Sequence, residues 1–159
     1  MYREIYSSCG CSSSGRYTGS GTRSETETSR TSSRAAYGLF RADNQIVETG
    51  QDVRFGSAET SEGLTLSDDG TTVRVGENGV YRIDFTVTPL SSSGALMSLV
   101  IGGVRADGEP VMLAEAGIQV SGTSLVRLKR GTSVELRVTE ASVALGAQLR
   151  AYICLVRIA

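Results

Sequence analysis

The stretch VYRIDFTVT at 80–88 alternates without a break: Tyr81, Ile83, Phe85 and Val87 are apolar, and Arg82, Asp84, Thr86 and Thr88 lie between them. Successive side chains of a β-strand point to opposite faces, so this pattern describes a strand with one face in a core and the other in water. TSVELRVTE at 132–140 repeats it, with Val134, Leu136 and Val138 against Ser133, Glu135, Arg137 and Thr139. Turn signals separate such runs: SDDG at 67–70, GENG at 76–79, SSSG at 91–94, ADGE at 106–109, SG at 121–122 and RG at 130–131. With 19 Gly and only 2 Pro, the chain makes its turns from Gly and Asx chemistry. Regular strand–turn spacing with no amphipathic helix predicts an all-β sandwich or barrel of about eight to ten strands.

Two strands break the alternation. In ALMSLVIGG, Leu96 and Val100 take one face while Met97, Leu99 and Ile101 take the other. In QLRAYICLVRIA, Leu149, Ile153 and Leu155 oppose Tyr152, Cys154, Val156 and Ile158. A sandwich strand has one face on the core, so a second apolar face needs a cover. In a 159-residue chain, another copy of itself is the expected cover, with loops or the N-terminal segment of the same chain as the alternative. Cys154, between Ile153 and Leu155, reads as a small core residue.

Residues 1–34 have a different texture and form a separate low-complexity leader ahead of the 35–159 domain. Ser, Thr and Gly dominate, as in TGSGTRSETETSRTSSR, and little is available to bury. Tyr2, Ile5 and Tyr6 are the exceptions; composition alone makes them a few apolar residues on a flexible surface tail, and they also suit docking onto another subunit, as an added strand or a small apolar patch. The Ser and Thr content is compatible with O-linked glycans and equally with a plain linker. The first ten residues, MYREIYSSCG, lack the apolar run of a secretory signal, and no apolar stretch approaches the roughly 20 residues that span a bilayer.

Composition narrows the function classes. The chain has no His, which removes the usual general base and the usual zinc ligand. Lys occurs once, at Lys129 in a strand-like run. Paired carboxylates for sugar cleavage would need an aromatic cleft, and the chain has no Trp and 3 Phe. An enzyme is not expected, and neither is a cofactor. A formal net charge of -1 with interspersed signs gives no footprint for nucleic acid. Arg74, Arg82, Arg127, Lys129, Arg137, Arg150 and Arg157 fall at polar strand positions and are expected to pair with neighbours such as Asp84 and Glu135. Asp68-Asp69-Gly70, Asp107-Gly108-Glu109 and Asp43-Asn44 offer oxygen ligands, but no spacing matches an EF-hand loop, and turn chemistry accounts for them without a metal.

The order of segments carries a resemblance. AAYGLF, GQDVRF, TTVRV and GENGVYRIDFTV come first, with Gly79-Val80-Tyr81-Arg82-Ile83-Asp84-Phe85 as the most specific element. Then follow an apolar strand ending in Ile101-Gly102-Gly103-Val104, the start Gly122-Thr123-Ser124-Leu125-Val126, the run from Leu128 to Leu136, and a closing GAQLRAYICLVRI. This series resembles the tumour-necrosis-factor-like jelly roll shared with complement globular heads. Within that group it is most similar to the C-terminal domain of collagen-like exosporium glycoproteins of endospore-forming bacteria. The resemblance covers about residues 35–159 and implies a homotrimer about one three-fold axis that caps a surface fibre. It departs from those glycoproteins at the leader, where residues 1–34 hold no Gly-X-Y repeat and no Pro, so that segment is not a collagen triple helix.

Cys9-Gly10-Cys11 sits on the segment that stands in the stalk's place. A closed zinc site needs four ligands, and no His completes one, so a metal would have to be shared between subunits. A redox pair needs Cys-x-x-Cys at a helix start, and bridging across one Gly is geometrically tight. Cysteines with no role also remain open. Disulfides between copies fit best, through Cys9 and Cys11. The residues expected to build the core and the trimer contacts are Tyr37, Phe40, Tyr81, Phe85, Leu99, Ile101, Tyr152, Ile153 and Leu155. The chain therefore reads as a structural module of a spore (exosporium) or other bacterial cell surface, partnered by its own copies in a trimer, fibre or filament and by other surface proteins. The alternative is a lectin-like or receptor-binding head on a bacterial or phage surface, working through loops 89–95 and 105–110.

Overall fold

The computed structural model describes residues 35–92, 94–105, 112–147 and 150–159. In chain order the strands are β1 (Tyr37–Ala42), β2 (Gln45–Val47), β3 (Ser57–Glu62), β4 (Leu64–Leu66), β5 (Val73–Val75), β6 (Gly79–Val87) and β7 (Ser91–Ser92). Then come β8 (Ala95–Ile101), β9 (Val104–Arg105), β10 (Met112–Ala114), β11 (Val120–Leu128), β12 (Ser133–Glu140), β13 (Val143–Leu145) and β14 (Ala151–Arg157). No helix occurs among the described residues. These 14 strands exceed the expected eight to ten because seven of them are only two or three residues long. Alternation needs about four residues to become visible, so such pieces leave no periodic signal.

The strands form a two-layer antiparallel jelly roll. One sheet has the order β11-β6-β14-β1-β3. The facing sheet has the order β10-β8-β12-β5-β4, with β9 added beside β8, and a small sheet β2-β13-β7 closes one end. The last strand lies between β6 and β1, so the closing run pairs with the first strand as the segment order implied. Two ends can be assigned from register. Ala42, Ala151, Val87 and Val120 line up across the first sheet at the far end. At the entry end, where the described chain begins, Leu128 pairs with Gly79, and Arg157 N donates to the Ala36 carbonyl at 2.7 Å.

Alternation places the core. Phe40, Tyr81, Ile83, Phe85, Ile153 and Leu155 of the first sheet meet Val73, Val75, Met97, Leu99, Val134, Leu136 and Val138 of the second, all buried. Tyr81 keeps its hydroxyl satisfied by donating to the Glu77 carbonyl at 2.9 Å, and burial pushes the phenol up. Ile101 is half-buried against the same cluster.

Four sequence expectations change. The SG at 121–122 is not a turn but lies within β11, with Gly122 opposite Phe85. A β-carbon at Gly122 would lie 2.5 Å from Phe85 Cζ, so this glycine makes room for a ring rather than for a bend. On β8, Val100 is 1% exposed, so its position is covered without a second copy, while Leu96 on the same face is half-buried. Glu135, read as a solvated position, is 8% exposed beside Arg137, whose guanidinium approaches it to 3.7 Å. Cys154 is buried, but it lies opposite Leu39 and Asp84, on the face away from Ile153 and Leu155, and outside the core cluster.

Candidate self-association face

The outward face of the first sheet is read directly from its register. One row across four strands runs Tyr37, Val156, Arg82, Leu125. The next runs Leu39, Cys154, Asp84, Thr123, and the third Arg41, Tyr152, Thr86, Ser121. The β1–β14 half of this face is apolar: Tyr37, Leu39, Tyr152 and Val156 are half-buried, and Cys154 is at 6% exposure. Leu125, on the edge strand β11, is 66% exposed. Consecutive apolar residues at Leu125-Val126 carry the signal for this, because one of the two must turn outward when Val126 packs on the core.

A polar stripe on β6 separates the two apolar areas. Arg82 Nε lies 2.9 Å from Asp84 Oδ2, and Thr123 Oγ1 donates to Asp84 Oδ1 at 2.7 Å. At the far end Arg41 Nη2 lies 2.6 Å from Asp43, and Arg150 Nη1 reaches the Tyr152 hydroxyl at 3.4 Å. The two areas differ in composition and position, so a copy offering Leu125 would meet a partner's β1–β14 half rather than its own equivalent. Such contacts are heterologous and close into a ring only for a suitable rotation.

Of the other charged candidates, Arg137, Asp69 and Asp43 are held in local structure, whereas Arg74, Arg127 and Lys129, expected to pair across strands, are exposed with no ion pair among the described residues. Arg137 makes a two-pronged contact with Asp52, Nε to Oδ1 at 2.7 Å and Nη2 to Oδ2 at 3.0 Å. This contact ties the 50–53 segment to β12, and Asp52 holds the guanidinium all the more firmly protonated. Asp69 takes the Ser67 hydroxyl at 2.5 Å, the Thr71 N–H at 3.1 Å and the Thr71 hydroxyl at 2.9 Å. Those bonds, the Ser67 hydroxyl first, lower its pKa to about 2. The SDDG turn is thereby closed on itself, and Asp43 is engaged by Arg41.

Residues 42–159 match the family model of the BclA C-terminal domain. The chain belongs to the BclA C-terminal domain family. That family comprises the globular ends of collagen-like exosporium glycoproteins, in agreement with the order of segments. Among curated proteins nothing matches. Among solved structures, the globular domain of zebrafish complement 1qA is similar with TM-score 0.60 at 11% identity, covering 79% of this chain and 98% of that one. Murine APRIL, solved at pH 5.0, gives 0.57 at 12%, covering 79% and 100%. Eiger TNF from S. frugiperda gives 0.52 at 19%, covering 79% and 92%. At these identities the likeness fixes the fold, a tumour-necrosis-factor-like jelly roll.

In this BclA-type domain the nine expected core and contact residues divide. Phe40, Tyr81, Phe85, Leu99, Ile153 and Leu155 are fully buried inside one chain, Ile101 is half-buried on the core, and Tyr37 and Tyr152 lie on the outward face. Leu39 and Leu125 join that face without having been singled out. Cys9, Cys11, Tyr2, Ile5 and Tyr6 lie outside the described residues, as does the Asp107–Glu109 turn.

Proposed function

We propose that the chain is a structural, non-catalytic module of the spore surface whose 35–159 domain forms a homotrimer through the outward face of the β11-β6-β14-β1-β3 sheet. The observation that carries this reading is the apolar half formed by Tyr37, Leu39, Tyr152 and Val156, with exposed Leu125 on the same sheet's edge. Covering Leu125 and its partner residues would supply about 1–2 kcal/mol per large side chain. Three such heterologous contacts close a ring, and membership of the BclA C-terminal domain family supports three as the number. The leader, residues 1–34, then links trimers to each other or to neighbouring surface proteins in a layer, fibre or filament. Tyr2, Ile5 and Tyr6 dock on the neighbour, and Cys9 and Cys11 lock the contact by disulfides between copies.

Tyr152→Asp together with Leu125→Asp places charge in both halves of the contact without touching the core. Sedimentation velocity under reducing conditions should show the double variant as a folded single chain and the parent as a trimer. A double variant that keeps the parent's mass would sink the reading.

A further inference from the structure

The far and entry ends of the sandwich are unlike each other. At the far end Ile46, Leu90 and Ile118 are large exposed apolar residues. They sit on adjoining segments: Ile46 pairs with Ala144, Leu90 N donates to the Ala144 carbonyl at 2.8 Å, and Gly117 N donates to the Pro89 carbonyl at 2.8 Å. Around them Glu48, Glu115 and Glu140 are exposed, and none of the three has an ion pair among the described residues. Of the cations near this end, Arg41 and Arg150 are half-buried toward the β1–β14 face, where Arg41 is already held by Asp43, and Arg54, whose backbone is bonded to the Gln45 side chain, is exposed, so three exposed carboxylates face one exposed cation.

The entry end has the opposite charge. Arg105, Arg127, Lys129 and Arg130 are exposed there without an ion pair among the described residues. Glu62 and Glu77 are the carboxylate side chains beside them. Val104, at 69% exposure, and Ile158, at 55%, are large exposed apolar residues of this end. Each end thus combines apolar contact area with a charge that the other end complements.

We propose that the far end of one copy seats on the entry end of the next, so that the domains stack end to end. The contact joins two different surfaces along the strand direction and leaves a free end of each kind, so it propagates as an open filament instead of closing. Carboxylates on one rim and guanidinium and ammonium groups on the other set the polarity, since two like ends repel. The proposal rests on the trimer reading only in that three copies side by side would make three such contacts at once. It is separate from leader docking, because every group it uses lies in the 35–159 domain.

The test uses the full chain under reducing conditions, followed by sedimentation velocity and negative-stain microscopy over a concentration series. Species larger than the smallest unit should form, and the concentration giving half of them should rise about tenfold or more between roughly 50 mM and 500 mM salt. Glu48→Lys/Glu115→Lys/Glu140→Lys and Arg105→Glu/Lys129→Glu/Arg130→Glu should each abolish stacking. Mixed together, the two variants should stack again in alternation, which misfolded chains would not do. No restoration on mixing, stacks indifferent to salt, or no stacks at any concentration would overturn the proposal. Stacks lost in Tyr2→Ser/Ile5→Ser/Tyr6→Ser but kept in both charge variants would overturn it in favour of leader docking. The mass of the smallest unit reports on the trimer separately.

Discussion

Gly122→Ala tests whether the first sheet is packed as described. The position is the third of a nine-residue strand, paired on β6, where alanine should be preferred to glycine by about 0.5–1 kcal/mol. Against that, the new methyl would lie 2.5 Å from Phe85 Cζ and 2.8 Å from Cε1, and the ring is fixed in a fully packed core. Overpacking of this kind costs about 1–3 kcal/mol, so the packing term wins and the net loss should be about 1–2 kcal/mol. At constant protein concentration, urea unfolding should show that loss, with a Tm lower by roughly 3–8 °C. Phe85→Leu removes the ring edge that the methyl meets. The double variant should therefore be more stable than the sum of the single losses by about 1 kcal/mol. An alanine variant as stable as the parent, or losses that simply add, would refute the claim that Gly122 exists to admit the ring.

The remaining predictions concern charge and covalent linkage. The Asp69 carboxyl should titrate in the folded protein near its lowered value of about 2, as followed by its carbon chemical shift, and a midpoint near the ordinary 3.8 would contradict the Ser67–Thr71 turn. Because the folded pKa lies below the unfolded one, the turn's contribution is complete above about pH 4 and is lost as pH falls toward 2, and Asp69→Asn should flatten that part of the stability profile. Arg137→Met should lower the unfolding free energy, read from urea denaturation, by about 1 kcal/mol, less in high salt, since the Asp52 pair is partly exposed. Non-reducing gels should show multimers that reductant removes, and Cys9→Ser/Cys11→Ser should abolish them. Multimers that survive the double substitution would put the linkage elsewhere.

Much of this architecture was legible because β6 and β12 combine length with contrast: Tyr81-Ile83-Phe85-Val87 and Val134-Leu136-Val138 point one way, and the sequence says so without help from tertiary structure. The failures share a cause, which is that a linear pattern does not show what lies across the sheet. Ser121-Gly122 has turn composition, and only the Phe85 ring on the neighbouring strand explains the glycine. Val100 on β8 and Tyr152 on β14 each belong to the second apolar face of their strand, yet Val100 is covered within the chain while Tyr152 stays half-exposed. The short strands β2, β13 and β7, which carry Ile46 and Ala144 at the far end, are too brief for periodicity and were invisible until paired. The outward face was half-legible: Tyr37 and Tyr152 stood out as aromatics, whereas Leu39 and Leu125 required register to be placed beside and across from them.

The central claim is that the sheet bearing Tyr37, Leu39, Tyr152 and Val156 is buried against other copies. Light scattering on the full chain in reductant, coupled to size-exclusion chromatography in high salt, measures this with disulfides and end-to-end contacts both suppressed. The expected particle has three times the 16.8 kDa chain mass. A folded particle with the mass of one chain at micromolar concentration would contradict it.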